Sequence, residues 1–418
     1  MSEKRLLIIG GGVIGLSTAY YCALRGHRVS VVDRNPEQRD GCSFGNAGMV
    51  VPSHFVPLAA PGMVALGLKW MWNPESPFYI KPRLNAELLG WGWKFWRAAN
   101  ADHVARSAPL IRDLSFASRR CFEELANLPD NDFGLVQKGL VMLCKTAHAL
   151  EEESSFAAKA NALGVPAQVL DAKGVAQLDP DVTMDVAGGV YFPKDCHLSP
   201  QRFMAGLKRQ CEQLGVQFTW NTEVRELRTE GSRVSAVRTD RSEFAFHELV
   251  LCGGSWSPLV ARQLGLKIPM QAGKGYSLTL AQPRQLPRLC SIFTEARVAV
   301  TPMGSALRVG GTMEIAGLNE DINPVRVQGI VKSVPRYFPK FRTEDFAGIQ
   351  PWRGLRPCSP DGLPYLGRTA RFSNLSIATG HAMMGLSLGP ITGRLMSELL
   401  SGEKPSIDLH LLNPDRYA

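Results

Sequence analysis

The first 33 residues constrain the fold of this chain most strongly. Residues 6–9 are a continuous apolar run, as a buried parallel strand requires. Three glycines follow at once in the spacing G-x-G-x-x-G: Gly10, Gly12 and Gly15. The first allows a tight turn, the second lets backbone approach a pyrophosphate, and the third lets a helix pack closely on the strand. This order of strand and glycines predicts a dinucleotide site.

A helix and a second strand complete this unit. Residues 13–25 have helical spacing, so Val13 and Ile14 stand at a helix N-terminus whose free N–H groups and partial positive charge face the phosphates. Gly26 ends the helix, residues 28–32 form the next strand, and Asp33 follows at its tip. A carboxylate there hydrogen-bonds a ribose 2′-hydroxyl and disfavours a 2′-phosphate. The unit therefore favours FAD or NAD over NADP.

Three further stretches have so little side chain that backbone can approach a cofactor. Residues 43–49 are mostly small, and residues 248–252 form a second buried strand that ends in Gly253 and Gly254. A third strand, at 375–378, leads into a glycine loop at 380–386 and then a helix that we expect to start near Pro390. In the second stretch the backbone would approach the cofactor at the carboxyl end of a strand.

The composition excludes several classes of protein. The 418 residues carry a net charge of +9, yet no cluster of four or more Lys or Arg occurs, so we expect no nucleic-acid partner. The nine cysteines show no C-x-x-C pair and no metal-ligand spacing, which predicts free thiols, a reducing compartment and no metal. The length allows two domains.

The fold class predicted is α/β, with a Rossmann-like FAD-binding domain and an inserted α+β substrate domain. Short β runs at 276–280, 298–301 and 307–310 indicate that the inserted domain holds an antiparallel sheet. Helices are predicted at 108–126, 147–163 and 199–214. The predicted boundaries assign 1–52, 188–262 and 345–418 to the FAD-binding domain, and 53–187 and 263–344 to the substrate domain.

Residues 58–98 concentrate tryptophan and basic side chains. Five of the eight tryptophans occur here: Trp70, Trp72, Trp91, Trp93 and Trp96. Two interpretations stay open, an aromatic pack over the core or a subunit interface, and a peripheral membrane contact. No transmembrane helix is predicted, because the prolines and glycines of 41–68 interrupt any lipid-embedded helix. No secretory signal is predicted either, because residues 6–16 already form the strand, glycine loop and helix of the first unit. We expect a cytoplasmic protein, peripheral on the inner face of the membrane if that contact forms.

Five motifs together resemble one known family along nearly the whole chain. They are the unit from Gly10 to Asp33, Ser43-x-Gly45-Asn46-Ala47-Gly48, Lys274-Gly275-Tyr276-Ser277-Leu278-Thr279, Gly354-Leu355-Arg356-Pro357-x-x-Pro360-Asp361-Gly362, and Gly380-His381. The chain resembles the D-amino-acid oxidase/dehydrogenase family of FAD proteins, in the glycine oxidase/sarcosine oxidase superfamily. Within that family it is most similar to the bacterial D-amino-acid dehydrogenase branch, small subunit type.

The resemblance implies non-covalently bound FAD and a set of residues around it. The glycine loop holds the pyrophosphate, Asp33 the adenosine ribose, Val224 the adenine, and the loop from Gly380 the isoalloxazine. Cys42 and Cys358 leave a covalent link open, although packing is the role we expect for both. The cofactor-binding residues implied are Gly10, Gly12, Val13, Ile14, Gly15, Asp33, Arg34, Ser43, Asn46, Ala47, Gly48, Met49, Val224, Gly253, Gly254, Gly380, His381, Met384, Gly385 and Leu386.

Three residues are predicted to act on the substrate. The resemblance makes Arg356 the carboxylate clamp, a role that suits a guanidinium fork. A buried salt bridge with Asp361 is the alternative for this arginine. Tyr276 matches a position near the substrate or the flavin face, and His54 follows the flavin-contacting segment closely enough to reach the substrate.

The reaction implied is oxidation of a D-amino acid, with hydride passing from Cα to flavin N5. Water then converts the imino acid to a 2-oxo acid and ammonia. Related oxidases carry a lysine near the flavin where this chain has Arg308, which favours a quinone or another electron acceptor over oxygen. The alternative is an oxygen-using amine oxidase for glycine, sarcosine, D-proline or D-hydroxyproline. The additional glycine loops argue against an NAD-linked dehydrogenase.

Overall fold

The computed structural model describes residues 3–38, 40–70, 75–83 and 85–418. Its helices are α1 Val13–Leu24, α2 Met63–Trp70, α3 Ala86–Ala98, α4 Ala101–Ala126, α5 Ala147–Ala162, α6 Ala172–Leu178, α7 Pro200–Gln213, α8 Ser257–Gln263, α9 Pro324–Tyr337 and α10 Gly385–Leu400. Its strands are β1 Arg5–Ile9, β2 Arg28–Val32, β3 Met49–Val50, β4 Phe78–Ile80, β5 Leu140–Cys144, β6 Gln168–Asp171, β7 Gly188–Phe192, β8 Cys196–His197, β9 Gln217–Thr219, β10 Val224–Glu230, β11 Arg233–Thr239, β12 Glu243–Phe244, β13 Glu248–Leu251, β14 Gln271–Leu280, β15 Cys290–Phe293, β16 Val298–Met303, β17 Ala306–Ile315, β18 Trp352–Cys358, β19 Tyr365–Arg368 and β20 Leu375–Thr379.

The first sheet is built on β1, which lies at its centre. The strand order is β19-β20-β13-β1-β2-β9, and all neighbours are parallel except the pair β19 and β20. Leu6 and Ile8 pack in one core with α1 and α10, whereas Leu7 and Ile9 pack in a second core on the other face. Because both faces are covered, β1 is apolar throughout its buried part.

The second sheet holds the inserted β segments. Its order is β18-β14-β17-β16-β15-β5-β7-β6, with β4 paired to β17. The run from β18 to β15 is antiparallel, and β15 and β5 are parallel. The three predicted β runs lie in β14, β16 and β17. The predicted fold class, a Rossmann-like α/β unit with an inserted antiparallel sheet, is confirmed.

Two strands belong to a different sheet from the one that the predicted domain boundaries suggest. The boundaries assign 188–262 and 345–418 to the cofactor domain, yet β7 pairs with β5 and β6, and β18 pairs with β14, in the second sheet. Both strands therefore join the two parts of the molecule. The division into domains stays a prediction.

Two predicted helix starts are wrong by several residues. The helix predicted from 108 begins at Ala101, because the side chain of Asn100 accepts a hydrogen bond from the His103 N–H and caps it earlier. The helix predicted near Pro390 begins at Gly385, so the proline lies inside it. The remaining predicted helices, α1, α5 and α7, are confirmed within about one residue of each end.

The tryptophan-rich stretch contains α2, β4 and α3, while Trp72 lies outside the described residues. Trp91 of α3 is buried, and its indole N–H donates to the Cys358 carbonyl at 2.9 Å. Trp93 and Trp96 lie on the opposite side of the helix, more than half exposed, and stack with ring centroids 5.0 Å apart. Helix α3 in this stretch therefore packs against the core on one side and exposes an apolar surface on the other.

Candidate active site

The glycine loop after β1 opens onto a large cavity. Gly10 has φ +107°, and a Cβ at Gly15 would lie 1.8 Å from the Gly10 carbonyl oxygen, so both positions require glycine. A Cβ at Gly12 would meet only the Ser43 hydroxyl, at 3.8 Å. Gly12 thus faces open cavity, and its small size leaves room for a phosphate. The N-cap residue of α1, Gly12, makes no side-chain hydrogen bond to the helix, so the N-terminus beyond the Val13 N–H is available to an anion.

Asp33 and Ser43 close this end of the cavity. The Asp33 carboxylate accepts hydrogen bonds from the backbone N–H groups of Gly11 and Asn35, both at 2.8 Å. Ser43 accepts one from the Val13 N–H at 3.2 Å. Asn46 lines the cavity, and its side chain accepts from the Gly48 N–H at 2.9 Å. These bonds fix the backbone where the resemblance places the cofactor phosphates.

The opposite wall comes from the middle of the chain. Val224, Gly253 and Gly254 line the cavity as predicted. The Arg34 guanidinium lies 4.1 Å from the ring centroid of Trp256, which also lines the cavity. The sequence analysis did not select Trp256, although its position two residues after the paired glycines was a usable signal.

The loop from Gly380 to Leu386 forms the far end. Gly380 has φ +81°, and His381 is buried with its Nε2 2.9 Å from the Thr392 hydroxyl. His381, Gly385 and Leu386 line the cavity, and α10 begins there at Gly385. A second helix N-terminus therefore faces the space in which the resemblance puts the isoalloxazine.

Arg356 is the cation that β18 brings to this cavity. Its Nη1 donates to the Thr312 carbonyl at 2.7 Å. A Cβ at Gly275 would lie 2.2 Å from both terminal nitrogens, so this glycine makes room for the guanidinium. The carbonyl is available because Lys274 pairs with Glu314 and Tyr276 with Gly311, which leaves Thr312 in a bulge with φ +65°.

The alternative role for Arg356 is not realised. Asp361 accepts two hydrogen bonds from Arg416 instead, at 2.7 and 3.0 Å. That bidentate pair lowers the pKa of the Asp361 carboxyl against the effect of its burial. Burial lowers the pKa of Arg356.

Tyr276 and His54 lie away from this cavity. The Tyr276 hydroxyl donates to Glu314 at 2.7 Å, and burial with this hydrogen bond raises the pKa of the tyrosine. His54 lines a smaller second cavity, which shares only His381 and Ala382 with the first. Their predicted substrate contacts therefore stay predictions.

The predicted residues divide into two sets. Those that line the first cavity are Gly10, Gly12, Val13, Ile14, Asp33, Arg34, Ser43, Asn46, Val224, Gly253, Gly254, Arg356, His381, Gly385 and Leu386. Those that do not are Gly15, Ala47, Gly48, Met49, Gly380 and Met384, with Tyr276 and His54. Gly48, in the second set, is needed for close packing of the backbone, because a Cβ there would lie 2.2 Å from the Leu198 carbonyl oxygen.

The two cysteines considered for a covalent link differ in position. Cys42 lines the cavity, and burial raises the pKa of its thiol to about 11. Cys358 is fully buried, and burial raises the pKa of its thiol to about 12. Neither thiol has the lowered pKa of a reactive cysteine. Among the described residues there is no group of three or more His, Cys, Asp or Glu arranged to hold a metal ion.

Comparisons with known proteins agree with this geometry. The family described as FAD dependent oxidoreductase (DAO) matches residues 5–399. A protein of Bradyrhizobium diazoefficiens named D-amino acid dehydrogenase is 34% identical over 423 residues, covering 99% of both chains. One of Methylobacterium radiotolerans with the same name is 35% identical, also over 99% of both chains.

Solved structures share the fold at lower identity. A glycine oxidase from Geobacillus kaustophilus superimposes with a TM-score of 0.80 at 23% identity, over the full length of both chains. An L-proline dehydrogenase from P. horikoshii gives a TM-score of 0.74 at 16% identity, covering 100% of this chain and 98% of the other. These structures show the fold, in which oxidases and dehydrogenases both occur.

Proposed function

The chain belongs to the DAO family of FAD-dependent oxidoreductases, and within it we propose a D-amino acid dehydrogenase. It oxidises a D-amino acid, which yields the 2-oxo acid and ammonia after hydrolysis, and passes the electrons to a quinone or another acceptor that is not oxygen. One observation supports an amino acid as the substrate. The cation Arg356 lies in the wall of the same cavity as the glycine loop proposed to bind the cofactor.

The surroundings of Arg356 suit a carboxylate clamp. One terminal nitrogen is held by the Thr312 carbonyl, which fixes the plane of the guanidinium. The other donors stay available for the two oxygens of an amino-acid carboxylate, since Asp361 is already paired with Arg416. Two parallel hydrogen bonds to a carboxylate orient the substrate as well as binding it.

FAD would supply the two-electron chemistry once bound. The N-terminus of α1 and Gly12 would hold its pyrophosphate, Asp33 its ribose, and the loop from Gly380 its flavin ring. The protein's own task is then to bind the amino acid, orient its Cα and exclude water. Because neither thiol near the cavity is activated, we propose that the cofactor is not covalently bound, so acid precipitation releases a yellow supernatant.

The oxygen-using amine oxidase is the second candidate. It is supported by the fold, since a glycine oxidase superimposes along the full chain. The dehydrogenase is supported by the names of relatives that are about one-third identical along the full length. Arg308 in place of a lysine also favours the dehydrogenase.

A quinone acceptor would place this protein at a membrane surface. No helix among the described residues is both long and apolar enough to cross a bilayer. Leu68 of α2 and Leu89, Trp93 and Trp96 of α3 nevertheless expose more than half of their surfaces. Tryptophan beside lysine and arginine suits the headgroup region. We propose that this aromatic face, defined by those four residues, gives peripheral contact with the membrane.

The test separates the two half-reactions. The purified holoenzyme is mixed without oxygen with D- and L-amino acids, glycine, sarcosine and D-proline derivatives, and flavin bleaching is followed. We expect bleaching by D-amino acids. The reduced enzyme is then mixed with air-saturated buffer or with a quinone analogue, and we expect the quinone to reoxidise it much faster. Fast reoxidation by air with stoichiometric peroxide would make the protein an oxidase.

A further inference from the structure

A second cavity adjoins the cofactor cavity and has a different chemistry. His381 and Ala382 line both, so one short segment of loop separates them. Apart from two histidines, the remaining lining residues are apolar or glycine: Val56, Pro57, Leu58, Ile111, Leu114, Gly362, Pro364, Met383, Met384 and Leu388. Among the described residues that line this cavity there is no lysine, arginine or carboxylate. The cavity therefore suits a neutral apolar ligand and not the carboxylate of an amino acid.

His54 in this cavity is held from behind by a buried hydrogen-bonded chain. Its Nδ1 lies 2.9 Å from the Ser53 hydroxyl. Ser53 donates its backbone N–H to Asp195 Oδ1 at 3.0 Å and its hydroxyl to Asp195 Oδ2 at 2.5 Å. Ser53 is 2% exposed and Asp195 is fully buried. The other ring nitrogen, Nε2, points away from Ser53 and Asp195 and has no hydrogen-bond partner among the described residues.

We propose that this second cavity binds the ring of a quinone as electron acceptor, and that Asp195 and Ser53 pass a proton to it through His54. The proposal rests on the dehydrogenase function above and identifies the site of its acceptor. A quinone ring is flat and apolar, and its two carbonyl oxygens accept hydrogen bonds. An imidazole on an apolar wall matches both properties.

The proton and electron balance is complete. Conversion of a quinone to its quinol requires two electrons and two protons, of which the reduced cofactor supplies two electrons and one proton. The second proton leaves His54 Nε2. With Asp195 protonated, its carboxyl donates to Ser53 and the Ser53 hydroxyl donates to His54 Nδ1. The Ser53 proton then moves to Nδ1 and the Asp195 proton to Ser53, which leaves the Asp195 carboxylate accepting from Ser53 as in the structure. Uptake of one proton from water and tautomer exchange of the imidazole restore the starting state.

The electrostatic surroundings suit such a chain. Burial raises the pKa of Asp195 to about 7, so this carboxyl holds a proton near neutral pH more readily than an exposed one. Burial lowers the pKa of His54 to about 4, which keeps the imidazole neutral and able to exchange tautomers. The titratable and charged groups that act on these two are Arg119, Cys196 and Cys290 on Asp195, and Arg297 on His54.

Helix α3 links the cluster beside the second cavity to part of the aromatic face. Leu58 lines the second cavity and packs in one cluster with Trp91 and Ala382. Trp91 belongs to α3, whose opposite side carries Trp93 and Trp96. A lipid-dissolved ring therefore has an apolar surface next to its binding cavity.

Equilibrium binding tests the cavity directly. The probe is 2-heptyl-4-hydroxyquinoline N-oxide, a quinone-site ligand, titrated calorimetrically into oxidised holoenzyme. Leu114→Phe fills the cavity, and we expect its Kd to rise at least tenfold. Leu110→Phe makes the same change one turn away on α4, outside the cavity, and should leave Kd within twofold. Flavin content and Tm verify folding, and Val56→Phe replaces Leu114→Phe if that variant loses flavin. Unchanged binding in a folded filled variant overturns the proposal.

Rapid kinetics test the proton path. Reoxidation by a short-chain ubiquinone is compared with reoxidation by ferricyanide, which takes electrons without protons. We expect His54→Phe, Ser53→Ala and Asp195→Asn to slow the quinone reaction at least tenfold relative to ferricyanide, and Asp195→Asn to abolish its pH dependence around neutrality. His54→Gln, which keeps a donor, should restore part of the rate. If the variants slowed reoxidation by ubiquinone and by ferricyanide equally, His54, Ser53 and Asp195 would have a structural role and the proton path would be overturned.

The substrate half-reaction distinguishes this proposal from the proposed function. If His54→Phe or Leu114→Phe slows anaerobic reduction by the amino acid instead, the cavity belongs to the substrate and the acceptor site is refuted. If no amino acid reduces the wild-type enzyme, the dehydrogenase assignment fails. Enzyme reduced with dithionite then still reports whether the quinone reaction depends on this cavity.

Discussion

Arg356 carries the substrate assignment at the scale of single residues. Arg356→Lys keeps the charge but loses the fork, and Arg356→Ala loses both. A hydrogen bond to a charged group contributes about 1.5–3 kcal/mol, so we expect KM for the amino acid to rise roughly ten- to hundredfold, more for alanine than for lysine. FAD content should be unchanged. Arg371→Lys, at an exposed guanidinium outside the cavity, is the control. Unaltered KM in both Arg356 variants would leave the residue a structural role.

Asp195 gives a prediction about stability and pH. Burial raises the pKa of its carboxyl to about 7, so the folded protein holds this proton more tightly than the unfolded chain. Its contribution to stability is complete below about pH 4 and declines as pH rises towards 7, by at most about 1.4 kcal/mol per pH unit. We expect the free energy of unfolding of wild type minus that of Asp195→Asn to fall across this range.

A carboxyl with the opposite shift provides the control for Asp195. Hydrogen bonds from Arg288 lower the pKa of Asp181, so stability from that pair is lost as the pH falls. The free energy of unfolding of wild type minus that of Asp181→Asn should therefore rise as the pH rises. Denaturant titrations at several pH values measure both. If the free energy of unfolding of wild type minus that of Asp195→Asn did not change with pH, the Asp195 carboxyl would have the same pKa in the folded and the unfolded protein.

At the scale of elements, the second sheet holds the segment of residues 40–48 against the cofactor cavity. The Trp352 indole N–H donates to the Asp40 carbonyl at 2.8 Å, and the Ser277 hydroxyl donates to the Gly45 carbonyl at 2.9 Å. Buried Arg308 donates to the Asn46 carbonyl at 2.8 Å and to Thr279 at 3.0 Å. The arginine that the sequence analysis linked to oxygen reactivity thus supports the cofactor segment.

Arg308→Met tests this support. The variant leaves the Asn46 carbonyl without its charged donor, a loss of about 1.5–3 kcal/mol. We expect the Kd for FAD to rise roughly tenfold or more and Tm to fall by several degrees. Arg336→Met, at an exposed arginine of α9, is the matched control. Fluorescence of released flavin gives Kd, and an unchanged value would show that segment 40–48 is held without Arg308.

Local elements could be predicted from sequence, and contacts between distant ones could not. The unit from β1 to Asp33 is contiguous, so its strand, glycines and helix all leave a signal in one window. The Asp195–Ser53 contact spans 142 residues and leaves none. Helix α10 was placed too late because a proline usually starts or ends a helix. The position of Tyr276 was hard to predict because alternate residues of β14 face opposite sides of the sheet.

At the scale of the whole molecule, the aromatic face predicts salt-sensitive binding to anionic vesicles. Replacing Trp93 and Trp96 with serine removes two exposed aromatic side chains, and we expect the vesicle partition coefficient to fall roughly tenfold or more. Val169→Ser with Leu214→Ser, at exposed apolar residues elsewhere, should change it less than twofold. Cosedimentation at low and high salt measures both. Equal binding by wild type and the tryptophan variant would favour a subunit interface for this face.

The order of strands around the cavity has a consequence for biosynthesis. The cavity lies between β1 from the start of the chain, β13 from its middle and β20 near its end, with Leu386 closing it. A ribosome that has released only the first half of the polypeptide has therefore made the phosphate loop without the rest of the pocket. The complete cofactor pocket can therefore form only after the last of these segments has been translated. Bound flavin would then identify the copies of the protein that were synthesised to that point and folded.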